Sequence, residues 1–168
     1  MKLQRSIRHP SIIKFYYVYE DKHNISIVTE YFEWGTLQNR IWQKGSLTEY
    51  DAWLLIKKLL EVIMYIHDRG LVHRDIRPGS ILMASQFNDY EIKLSEFGLW
   101  CMQDSEDMEI YCGTPGFMAP EIWKIKPYNQ PVDIYGVGIV MYVALSGQVP
   151  FRITTNDHRD ILAINASN

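Results

Sequence analysis

The segment Val132–Leu145 reads as a buried helix. It is apolar on nearly every side, it carries one acid, Asp133, and it is too short to cross a bilayer, which takes about 20 residues. The pattern predicts a helix at the centre of a helical lobe. Gly136 and Gly138 lower helix propensity there and predict close backbone contact at both positions. A second long helix is predicted after Thr48, an N-cap with Glu49 and Asp51 in the first turn. Ala52, Ile56, Leu59, Leu60, Ile63, Ile66 and His67 recur at helical spacing, and Gly70 supplies a stop. His67 reads as a core or boundary histidine. With 168 residues the chain can build one domain around these helices.

Strand signals come first in the chain. Ile13–Tyr19 and Ile25–Thr29 are β-branched and aromatic runs separated by a polar turn, which predicts a hairpin. A loop ending at Gly35 follows, then a short helix over Thr36–Trp42. Ile81–Met83 and Ile92–Leu94 flank a polar insert and predict a second hairpin. Trp100–Tyr111 is acidic and reads as a solvated, mobile loop. Beyond Arg152 the chain is polar, with one weak apolar cluster at Ile161–Ile164, and is expected to fray. A net charge of −3 without a Lys/Arg block argues against nucleic-acid binding. Without a signal-type N-terminus or a membrane-length apolar run, and with Cys101 and Cys112 as two free thiols, a cytoplasmic setting is expected.

Between the helices, Leu71-Val72 leads into His73-Arg74-Asp75, and Ser95-Glu96-Phe97-Gly98 follows the second hairpin. An acid, a strong cation and a second acid are thereby placed in loops on a β scaffold. Further along stand Gly113-Thr114-Pro115 with Ala119-Pro120-Glu121, and Asp133-Ile134-Tyr135-Gly136. Any one of these is a weak signal, but together and in this order they form a specific one. They resemble the eukaryotic protein kinase family, in its catalytic loop, metal-binding loop and activation segment. The Gly-Thr-Pro-Gly-Phe-Met-Ala-Pro-Glu run is similar to the Ser/Thr branch, and with Tyr142–Phe151 to the calmodulin-dependent kinase group.

The resemblance implies an α+β, protein-kinase-like fold in truncated form. Residues 1–32 would be the last strands of the small lobe and the hinge, and residues 33–168 most of a mainly helical large lobe. A Gly-rich loop and a β3 lysine are not in this sequence. By the same resemblance, Asp75 would accept the substrate hydroxyl's proton, Arg77 stands where a lysine contacts the transferring phosphate, and Thr114 would brace Asp75. The main chain at Glu30 and Phe32 would bond an adenine, with Leu82 beneath it. Ser80 and Glu96 occupy the two metal-ligand positions, where the family has Asn and Asp. His73 and Phe97 would join an apolar stack anchored by Asp133. Arg74 would read a phosphate on the activation segment, or the charge of Asp104, Glu106, Asp107 or Glu109. Ser105, Tyr111 and Thr114 are the hydroxyls open to modification. Glu121 would pair with an arginine of a region that this sequence lacks.

ATP and Mg²⁺ are the implied cofactors, and a protein the implied substrate or partner. Mg²⁺ demands near-octahedral oxygen ligands at about 2.0–2.1 Å. A shorter Ser80 and a longer Glu96 both depart from that requirement, so ATP is expected to bind weakly or not at all. Three readings follow: a catalytically impaired pseudokinase acting as a binding or regulatory module, an ATP- and Mg-dependent Ser/Thr kinase of protein substrates, or a fragment without an autonomous role.

Overall fold

The computed structural model describes residues 7–124 and 127–151. The expected apolar cluster Ile161–Ile164 and the fraying tail lie outside the described residues. The architecture is α+β, with short two-stranded sheets set against helices, as the kinase resemblance implies.

Strands β1 (Phe15–Glu20) and β2 (Ile25–Thr29) form the predicted antiparallel hairpin. It is largely open to solvent: Tyr17, Tyr19, Ile25 and Ile27 are all exposed, whereas Phe15 is buried. The hairpin's entry is tied to the rest of the fold by Ile13 N–H donating to Leu94 O (2.9 Å) and Leu94 N–H donating to Ser11 O (2.9 Å). Helix α1 (Leu37–Lys44) begins at Thr36, whose hydroxyl accepts from Asn39 N–H while Asn39 accepts from Thr36 N–H, satisfying two orphan donors at once. Arg40 and Lys44 of α1 both bond the buried Asp89, at 2.7 and 2.6 Å, and lock the helix to the loop joining β4 (Ile81–Met83) and β5 (Ile92–Leu94).

Helix α2 (Glu49–His67) starts at Thr48 as its capping residues predict, and buries Ala52, Leu55, Ile56, Leu59, Val62, Ile63 and Ile66. These side chains join α4 (Pro131–Ser146) in the main core. Helix α4 departs from the expectation of burial on all sides. Val137, Ile139, Val140, Val143 and Ala144 face the main core, but Ile134, Met141, Tyr142 and Leu145 are exposed among the described residues. The two glycines of α4 also part company. A Cβ at Gly136 would sit 2.9 Å from Ile76 Cβ and 3.0 Å from Ile76 O, so the close contact exists there. A Cβ at Gly138 would meet nothing within 4 Å, so the predicted contact is absent.

The segment read as a mobile loop is instead docked. Cys101–Met102 (β6) pairs with Leu71–Val72 (β3), and a 3₁₀ turn over Glu106–Glu109 buries Met108. Met108 joins Val72, Cys101, Met118, Ile122 and Trp123 in a second apolar cluster, the last two from the short helix α3 (Pro120–Trp123). A few apolar side chains among many acidic ones suffice to dock this segment, and a composition average conceals them.

Candidate active site

Strand β3 carries the chain into His73-Arg74-Asp75, and Asp133 at the start of α4 holds that loop from beneath. Its carboxylate accepts from His73 N–H and Arg74 N–H, each at 2.8 Å, and from His67 Nε2 at 2.8 Å. His67 is thus the core or boundary histidine that the sequence suggested, and it is also a partner of the anchor. The His73 ring is fully buried. Nε2 bonds Ser95 O (2.9 Å), and Nδ1 accepts from Asp75 N–H (3.2 Å), which fixes the neutral tautomer with hydrogen on Nε2. Burial drives the His73 pKa below its ordinary value, outweighing the upward pull of Asp133, Asp75 and Glu96. Trp100 lies between His73 and Phe97, with ring centroids 5.2 and 4.9 Å away. Nothing in the sequence marked Trp100 as a member of this stack, because it follows the Gly98-Leu99 turn and belongs to no periodic run.

Arg74 and Glu96 are the two non-glycine residues with positive φ among the described residues, at 69° and 63°. Such conformations cost energy and persist where surrounding bonds enforce them. Arg74 donates to main-chain oxygens, Leu99 O at 2.6 Å and Asp107 O at 2.5 Å, and to the Tyr128 hydroxyl at 3.3 Å. The expected reading of carboxylates at Asp104, Glu106, Asp107 or Glu109 is therefore corrected: Arg74 grips the backbone of the segment. Tyr128 adds a bond from its hydroxyl to Ile110 O (2.7 Å). Of the candidate modification sites, Tyr111 is exposed, whereas the Ser105 hydroxyl is buried.

Asp75 faces a cleft of about 520 Å³. Ile13, Ile27, Thr29 and Leu82 make its apolar walls, and Asp75 and Glu96 are the charged residues among those lining it. Neither Glu30 nor Phe32, whose main chain was expected to bond an adenine, is among the residues lining it. Glu30 turns its carboxylate to Lys14 N–H (2.7 Å) and Lys93 Nζ (2.6 Å), and its carbonyl accepts from the Thr29 hydroxyl (3.2 Å). Thr29 and Ile27 went unrecognised as cleft residues, because a β-branched strand reads the same whichever face meets a ligand. Thr114 reaches Asp75 through its backbone, its N–H donating to Asp75 Oδ1 at 2.9 Å. Glu121 has no cationic partner among the described residues, and after burial it is the second cause of the raised Tyr135 pKa.

The floor of the cleft differs from what the resemblance implies. Arg77 Nε donates to Asp75 Oδ2 at 3.0 Å, and Arg77 Nη2 to both oxygens of Glu96 at 2.8 and 2.6 Å. Ser80 is buried, its hydroxyl donating to Arg77 O (2.9 Å) and accepting from Arg77 N–H (3.2 Å). The donors expected to hold Mg²⁺ are thus engaged by one arginine, and as arranged they do not fit the ion. Among the described residues no group of three or more His, Cys, Asp or Glu side chains is placed to hold a metal, and no helix is long and apolar enough to cross a membrane.

Comparison with known proteins fits this geometry. The protein kinase domain family matches residues 1–167. Calcium/calmodulin-dependent protein kinase type 1 of Macrobrachium nipponense is 42% identical over 151 residues, covering 90% of this chain and 44% of that protein. The type 1 kinase of Caenorhabditis elegans is 41% identical over 151 residues, 90% of this chain and 43% of that one. Human calcium/calmodulin-dependent protein kinase type 1B is 39% identical over 147 residues, 88% and 43% respectively. The chain thus spans less than half the length of these relatives. Its matched signatures, its α+β layout and these relatives together place the chain in the protein kinase domain family, in the serine/threonine branch, similar to the calmodulin-dependent kinases.

Proposed function

We propose that this chain is a kinase-type domain impaired in phosphoryl transfer, acting as a binding or regulatory module toward a protein partner. The observation that supports this reading is the arginine bridge. Phosphoryl transfer relies on positioning and on neutralising phosphate charge, with Mg²⁺ as a principal neutraliser. Here Arg77 takes the carboxylates of Asp75 and Glu96, and Ser80 is turned into the loop. The apolar cleft walls suit an adenine, while the acids on its floor are already paired with Arg77. The hairpin unit up to residue 32 and the helical unit from 33 would act as the two walls of this cleft. The two free thiols are in keeping with a reducing, cytoplasmic compartment.

A second reading has its own support. Asp75 keeps its bond from Thr114 and its place on the cleft, which favours residual ATP- and Mg-dependent transfer to protein hydroxyls. Thermal-shift titration with Mg-ATP, paired with a radiolabel transfer assay on a generic basic protein, separates the two. The expected result is no saturation at micromolar Mg-ATP and no transfer above a no-protein control, with transfer rising in Ser80→Asn/Glu96→Asp. Transfer by the unaltered chain, abolished in Asp75→Asn, would establish the second reading instead.

A further inference from the structure

We propose that Arg77 is the resident cation of the cleft, holding by itself the position between Asp75 and Glu96 that a divalent ion would need. The inference rests on the reading of this cleft as a kinase-type site, and it concerns what fills the cation position. Three observations carry it. A single guanidinium spans both acids, with Nε on Asp75 at 3.0 Å and Nη2 on both oxygens of Glu96 at 2.8 and 2.6 Å. The backbone makes room for it: a Cβ at residue 79 would lie 2.0 Å from Arg77 Nη1, so Gly79 is what lets the side chain fold over the loop. Ser80 secures the turn beneath, its hydroxyl bonding both the N–H and the C=O of Arg77.

The chemistry makes guanidinium and metal exclusive. Arginine stays charged and presents its N–H groups in a planar fork that matches carboxylates. A divalent ion would need the same oxygen lone pairs, and would sit against a fixed positive charge. Residues 77, 79, 80 and 96 therefore work as one device. Glu96, one carbon longer than Asp, reaches an arginine nineteen residues earlier in the chain.

Manganese titration of the whole chain tests this without nucleotide. Mn²⁺ binding is read from the loss of the free-ion electron paramagnetic resonance signal, for wild type, Arg77→Met and Gly79→Ala. Arg77→Met leaves two carboxylates around one gap, and is expected to bind Mn²⁺ at least about fivefold more tightly than wild type. Gly79→Ala displaces the guanidinium while every oxygen donor stays in place, and is expected to shift affinity in the same direction. Arg77→Met/Glu96→Gln is expected to lose the gain. A gain under fivefold in Arg77→Met, or one that survives Glu96→Gln, overturns the proposal. Should Arg77→Met not fold, Gly79→Ala alone decides, and no gain there overturns it. Impaired transfer and this titration fail separately, because the titration involves no phosphoryl group.

Discussion

His73 and Arg77 lie four residues apart on one loop, and their surroundings are opposites. His73 is sealed from solvent, its backbone held by Asp133 and its ring bonded on both nitrogens. The Arg77 side chain is 28% exposed, and Glu96, which it bonds, is 42% exposed. Buried polar groups must be paired, and losing a partner costs the full desolvation of what remains. Half-exposed ion pairs exchange one hydrated arrangement for another at little cost. The scaffold side of the loop is thus held to one arrangement, while the cleft side can change residues with small energetic consequence. This difference explains how the fold keeps its kinase form while the expected metal positions are rearranged.

Removing the anchor should have the largest effect. Asp133→Ala leaves two buried N–H groups without an acceptor and is expected to cost about 3–5 kcal/mol by urea denaturation. Asp133→Asn, which keeps one acceptor oxygen, should cost less. If Asp133→Ala proved no worse than a change at Arg77, the contrast between the two sides of the loop would collapse. Gly136→Ala comes next, at about 1–3 kcal/mol, because Ile76 Cβ and O leave no room for a methyl group. Gly138→Ala, in open space on the same helix, should stabilise by up to about 1 kcal/mol. Equal signs for the two glycines would refute close packing as the reason for Gly136.

Acid should weaken the scaffold side through His73. Its pKa is lowered in the folded state, so the unfolded chain takes up a proton near pH 6.5 that the native ring refuses. Stability is then fully present above that pH and falls as pH drops below it, by at most about 1.4 kcal/mol per pH unit from this group. His9 is also lowered by burial and adds to the wild-type slope. The difference in slope between wild type and His73→Asn therefore isolates His73, and parallel urea midpoints from pH 7 to 5 would exclude its contribution. The smallest effect belongs to the cleft side. Arg77→Met should change stability by less than about 1 kcal/mol; a cost above 2 kcal/mol would mean that the bridge is structural after all.

Much of the fold was legible beforehand. The cap residue Thr48, the apolar spacing of α2, and the β-branched runs of both hairpins are local signals, and they located their elements to within a few residues. The docking of Glu106–Glu109 was not legible, since it depends on Met108 finding a pocket made by distant residues. Nor was the exposure of one side of α4, because apolar character does not say what covers a face.

The candidate site divides in the same way. The sequence by itself determined that an acid, a strong cation and a second acid would stand in loops on a β scaffold, because their spacing from the predicted strands and helices is local information. Only the tertiary structure decided that Arg77 turns back to Asp75 and across to Glu96, that Ser80 closes on its own turn, and that Arg74 holds main-chain oxygens in place of carboxylates. The physical reason is that hydrogen-bond partners are chosen by distance and orientation in space, and side chains nineteen to sixty residues apart meet only when the chain has folded.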